Sequence, residues 1–113
     1  MNWFIAKIVF KIEGKNQEFI QFDEQLRLLD AVNEDLALEM AHQFGLMQQD
    51  EVVDHVNGKL FWKFIGVTEI NYLGEITNGT QVHCQINEPL NVSNYISLAL
   101  AKAEGLKQRK LVC

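Results

Sequence analysis

Apolar and polar residues alternate from the start of the chain. Over residues 3–13, Phe4, Ala6, Ile8, Phe10 and Ile12 share one face of an extended segment, with Lys7, Lys11 and Glu13 on the other. Gly14-Lys15-Asn16-Gln17 supplies a turn. A second strand, over about 18–31, carries Ile20, Phe22, Leu26 and Leu28 in phase on the side expected to face the core, so the two segments read as a hairpin. After Asn33 the period lengthens. Asn33 is placed to cap a helix, and Glu34 and Asp35 fall in its first turn, where the backbone dipole favours negative charge. Leu36, Met40 and Phe44 recur at i, i+4 and i+8, with Ala37 and Ala41 beside them, and this stripe is expected to pack on the sheet. Gly45 is expected to stop the helix as a left-handed cap, with Leu46 folding back on the last turn.

Alternation returns at residues 49–56, a short strand, followed by an Asn57-Gly58 turn and the densest aromatic stretch of the chain. This long strand, about 59–73, has Leu60, Trp62, Phe64, Ile70 and Tyr72 on one face. Gly66 in its middle implies that a helix or ring lies close over the backbone, or that the strand bends there. Asn78-Gly79 marks another turn, and Thr80, Val82, Cys84 and Ile86 then alternate with Gln81, His83, Gln85 and Asn87 as a further strand, closed by Pro89. A second helix over about 92–104 is apolar nearly all round in its first half, a pattern usual for a helix covered on more than one side. The expected order is ββαβββα in a single domain spanning 1–113. The fold class is α+β, an antiparallel sheet of about five strands with the first helix on one face and the second over an edge or the opposite face.

The second face of that sheet is less polar than a solvated surface. Trp3, Ile5 and Val9 lie on it in the first strand, and Phe61, Ile65 and Val67 in the long strand. Two matching apolar strips in adjacent strands make a patch that the second helix or another chain would cover, and a homodimer through these six residues is the favoured arrangement.

Three segments in order carry a family resemblance. They are Trp3-Phe4-Ile5-Ala6-Lys7; Asp23-Glu24-Gln25-Leu26-Arg27-Leu28-Leu29 leading into Asn33-Glu34-Asp35-Leu36-Ala37-Leu38-Glu39-Met40-Ala41; and Trp62-Lys63-Phe64-Ile65-Gly66-Val67 with the later Asn78-Gly79-Thr80. Together they resemble a bacterial family of small proteins, domain of unknown function 4288, over about residues 2–87. The resemblance implies a small cytoplasmic α+β protein and brings no activity, so it assigns no catalytic residue. Residues 89–113, the apolar helix and a basic tail, look like an addition.

Composition narrows the function. At 113 residues, 48% hydrophobic and 22% charged, the chain is globular in character. Its formal charge is −5, split into −8 over residues 1–101 and +3 over the last twelve, where Lys102, Lys107, Arg109 and Lys110 face only Glu104. An acidic body argues against a nucleic-acid binder, and a basic end suits a helix C-terminus. Two cysteines, Cys84 and Cys113, form no motif, and the lysine-broken N-terminus has neither the apolar block of a leader nor the length of a membrane span. Cytoplasmic placement, no membrane contact and no cofactor are the expectations.

Candidate chemistry is sparse. Glu24 lies in phase with Ile20, Phe22, Leu26 and Leu28, and against an apolar wall its carboxylate would serve as a general acid or base, with His83 or Tyr72 as partner. A bulge near Asp23-Glu24 or an edge position returns it to water, and that outcome is favoured. His42, His55 and His83, with Cys84 or Asp50, Glu51 and Asp54, lack the close ligand pairs of a zinc site, so no metal is expected. Cys84 is expected to face the core, and Ser93 and Ser97 to act at most as helix caps. Phe61, Trp62 and Phe64 around a single Lys63 read as core and interface rather than a platform for nucleic-acid bases. A non-enzymatic binding or protein-interaction module ranks first. A small enzyme around Glu24 and His83, and an acidic inhibitor or immunity-type protein built on Asp50, Glu51 and Asp54, are the alternatives.

Overall fold

The computed structural model describes residues 2–14, 20–54 and 58–109, with the backbone alone over 51–54. The element order is β1 (Trp3–Gly14), β2 (Gln21–Asp30), α1 (Glu34–Met47), β3 (Asp50–Asp54), β4 (Gly58–Gly74) and α2 (Val92–Arg109). All strand pairs are antiparallel, and the sheet order is β2-β1-β4-β3. The α+β class holds, but with four strands in a ββαββα order. The fifth strand expected over 80–87 does not form. Gly79 (φ +88°) does turn the chain as expected, with the Thr80 amide donating to the Thr77 carbonyl at 3.1 Å. Beyond it residues 80–91 are irregular, and Val82 and Ile86 are exposed. Alternation makes a segment suitable for a sheet but cannot provide it with an edge, and the sheet ends at β2 and β3.

The chain divides into two compact units, residues 1–82 and 83–113. In the first, α1 lies across β1, β2 and β4. Its core is Phe4, Ala6, Ile8 and Phe10 of β1, Leu29 of β2, Ala31, and Ala37 and Ala41 of α1. The Asn33 side chain caps α1 as its position implies, accepting from the Leu36 amide at 2.9 Å. The buried line of the helix, however, is Ala37, Ala41 and Gly45, one position past the expected stripe. Leu36 and Phe44 stay exposed on the flank, and Met40 is half-buried there. Gly45 does not end the helix, which runs on to Met47 with Gln48 as its cap. A β-carbon at Gly45 would overlap the Phe64 ring. The glycine is there to let helix and sheet approach closely.

β4 explains the glycine in its middle. Against β1 its register shifts between Val9 and Phe10 and again between Lys7 and Ile8, which makes Ile65 and Thr68 extra residues. The first shift moves Gly66 opposite Val9 and brings Val67 opposite Ile8, so Val67 packs on the core rather than on the second face. The second restores the phase, and Ile70 and Tyr72 rejoin Leu60, Trp62 and Phe64 on the helix side as their even spacing implies. No ring crowds Gly66; of the two expected reasons for it, the bend is the one found. Gly58, φ +76°, stands opposite Asp54 in the β3–β4 hairpin. The turn residues 15–19 and 55–57, His55 included, lie outside the described residues.

The second unit holds α2. Asn91 caps it, its side chain accepting from the Asn94 amide at 3.0 Å, so neither Ser93 nor Ser97 is the cap. Lys107 and Arg109 occupy the last turn, the position the dipole favours for cations. No residue of α2 is buried.

Candidate binding surfaces

Which face each β2 residue takes follows from its pairing with β1. Phe4 meets Leu29, Ile8 meets Gln25 and Phe10 meets Asp23, so the odd-numbered residues of β2 share the α1 side with the core residues of β1. Phe22, Leu26 and Leu28 therefore face away from the core, the reverse of the expected orientation, and each is at least half exposed. Glu24 goes with them, opposite Val9, and its carboxylate is exposed.

On the α1 side, β2 carries a polar lane instead. The Trp62 indole donates to Asp23 Oδ2 at 3.1 Å, and the Gln25 amide donates to the same oxygen at 2.7 Å. Arg27 Nη2 donates to Gln25 Oε1 and to Gln48 Oε1, each at 2.7 Å. Asp23, Gln25 and Arg27 thus tie the edge strand to β4 at one end and to the end of α1 at the other. This is why a strand with three large apolar residues turns them outward: its inner positions are used by hydrogen bonds that fix the helix. Among the described residues, Arg27 has no carboxylate partner.

Of the candidate acid–base residues, Glu24 and Tyr72 are not brought together. Tyr72 lies on the α1 side of β4, its ring 5.2 Å from that of Phe4 and its hydroxyl 3.2 Å from Asn2 Oδ1. Glu24 points from the opposite face of the sheet, so the two do not converge. His83 opens the second unit and is exposed, as is Cys84, which was expected in the core. His42 packs edge-on against Phe64, with ring centroids 5.1 Å apart. No group of histidine, cysteine and carboxylate side chains among the described residues could hold a metal ion. Of the acidic cluster, Glu51 and Asp54 have side chains outside the described set, so a negative patch there is not tested.

Two apolar surfaces remain in the first unit. The sheet face opposite α1 presents Phe22, Leu26 and Leu28 from β2, Trp3, Ile5 and Val9 from β1, and Phe61 and Ile65 from β4. Ile5 is buried among its neighbours, while Ile65 is 52% exposed. Charges are threaded through the patch, with Lys7 and Glu69 paired at 3.6 Å across β1 and β4. Five of the six interface residues expected from sequence are on this face; Val67 is not. The β2 residues were missed because their outward phase is set by pairing. The second surface is a groove of about 590 Å³ between α1 and the end of β2, walled by Leu36, Met40, Phe44, Met47 and Val32, with Asp30 and Glu39 among its lining. This is where the misplaced helix stripe went. Its volume falls in the range of small-molecule sites, but it brings no reactive pair together.

No described helix is long and apolar enough to cross a membrane. Residues 3–84 match the family model described as Domain of unknown function (DUF4288), and the chain belongs to that family. No curated protein and no solved structure matches it.

Proposed function

Starting from membership of a family with no assigned activity, we propose that the protein is a non-enzymatic protein-interaction module, acting in the cytoplasm as a homodimer, whose docking surface is the sheet face opposite α1. One observation carries this reading: β2 and β4 expose large apolar side chains on the same face, Phe22, Leu26 and Leu28 on one side and Phe61 and Ile65 on the other, with the half-buried Trp3 and Val9 of β1 between them. Scattered exposed hydrophobes need no explanation, but a cluster of them on one face lowers solubility and persists where a partner covers it. Lys7, Glu69, Lys11 and Lys63 around it supply charges able to set the partner's orientation. The exposed, unpaired Cys84 suits a reducing compartment.

A photo-activated cross-linker placed at residue 65 tests the face. In cells it should couple the protein to another polypeptide, whereas the same group at Asp35, on the exposed first turn of α1, should not. Ile65 adducts should disappear when Phe61→Lys is added. A residue-65 cross-linker that couples to nothing removes the docking surface.

A further inference from the structure

We propose that β2 is a self-pairing edge: two copies of the chain join antiparallel through β2, about a two-fold axis at Gln25, into one sheet of eight strands. This rests on the homodimer reading above and specifies where the second copy binds, leaving the sheet face free.

The argument begins with backbone direction. The Ala31 amide donates to the Asn2 carbonyl at 3.0 Å, which makes that pair a hydrogen-bonded one. Bonded and non-bonded pairs alternate along an antiparallel ladder. The odd residues of β2 therefore spend their N–H and C=O groups on β1, and the even ones, Phe22, Glu24, Leu26, Leu28 and Asp30, turn theirs outward, at the end of the sheet order. Such an edge is a template for another strand. β2 lacks three of the usual guards: it contains no proline, no lysine, and no register shift against β1, and the charges it does carry are of both signs.

Side chains select the register. A second β2 must bond through its own outward residues, so even residues meet even ones and the two-fold axis falls on a residue. An axis at Glu24 would oppose Glu24 to its copy, and one at Arg27 would oppose two guanidinium groups. With the axis at Leu26, Asp23 faces Leu29 of the second copy and Phe22 faces Asp30. Only an axis at Gln25 sets Asp23 opposite Arg27 on the α1 side, twice by symmetry, and Phe22 opposite Leu28 on the other side. Arg27, without a carboxylate in its own chain among the described residues, then gains one. About eight backbone hydrogen bonds close the seam.

The groove supports the same arrangement. Arg27 bonds Gln48 at the end of α1, and the Leu36–Met40–Phe44–Met47 flank leans toward the β2 side of the sheet, over Asp30 and Ala31. Pairing at Gln25 places a second α1 on the same side of the joined sheet, with the two apolar flanks turned toward each other across the seam. One contact thus accounts, among the described residues, for the edge without a neighbouring strand, the guanidinium without a carboxylate and the exposed helix flank.

Charge exchange tests the register. The native protein should elute with the mass of a dimer by light scattering. Arg27→Asp and Asp23→Arg should each weaken dimerisation by roughly thirtyfold, since two attractive cross-strand pairs become repulsive. Mixing the two variants should restore a dimer, now of unlike chains. Circular dichroism checks that each variant folds; if either does not, Gln25→Cys in a chain with Cys84→Ser and Cys113→Ser should oxidise to a symmetric disulfide, and Glu24→Cys should not. Leu26→Lys, which sets an amine opposite Glu24 of the second copy, should keep or tighten the dimer. A monomeric native protein overturns the proposal, as do folded charge variants that stay dimeric or a cross-link at 24 in place of 25. A dimer broken by Ile65→Lys and untouched by charge exchange would move the second copy to the sheet face, overturning the edge while preserving the face as a docking surface. Failure of the residue-65 cross-linker leaves the charge-exchange result standing.

Discussion

Gly45 and Gly105 both sit inside helices, yet substitution should act in opposite directions. At Gly45 a methyl group would run into the Phe64 ring, and the ring is held by Phe10 at 6.0 Å and by His42. Gly45→Ala should destabilise the fold by about 1–3 kcal/mol in urea titration, the usual range for overpacking. At Gly105 open space surrounds the added carbon, so Gly105→Ala should stabilise α2 by roughly 0.5–1 kcal/mol, seen as raised helicity on heating. The sequence could not separate these cases. A glycine is used for close approach or for positive φ, and at Gly45 the neighbouring Leu46 suggested a cap where packing was the cause. Asn33 was legible because capping is local: its oxygen needs only the amide three residues on.

Among elements, strand existence was readable and strand orientation was not. Period-2 alternation marks which residues share a face, but β2 is apolar on one face and hydrogen-bonding on the other, and only pairing with β1 decides which side turns inward. The Asp23–Gln25–Arg27 lane is the deciding feature, since Trp62 and Gln48 provide its partners from distant parts of the chain. The bulges in β4 were half legible, Gly66 giving their place while Val67's inward turn needed the register. The expected 80–87 strand failed for the same reason, being a local pattern without a long-range partner. Stability should follow the observed faces. Ile8→Ala, in the centre of the core, should cost about 2–5 kcal/mol. Ile65→Lys, at an exposed bulge, should change unfolding by no more than about 0.5 kcal/mol in the same titration.

For the whole molecule, the family match over residues 3–84 and the first compact unit, residues 1–82, nearly coincide. The sheet, α1 and every residue of the core cluster fall inside them. A chain ending at residue 84 should therefore unfold in a single cooperative thermal transition; a non-cooperative melt would show that the first unit depends on residues 85–113. Its two outer strands differ in consequence. β3 is five residues long, while β2 offers ten, with five outward-turned backbone positions flanked by apolar and charged side chains suited to a copy of itself. Amide hydrogen exchange along β2, measured against protein concentration, reads that edge directly. The amides of Asp23, Gln25, Arg27 and Leu29 should exchange slowly at every concentration, and those of Phe22, Glu24, Leu26 and Leu28 should become slow only as the dimer forms. Uniform protection of β2 in the monomer, or even-numbered amides that still exchange fast in the dimer, would contradict the account.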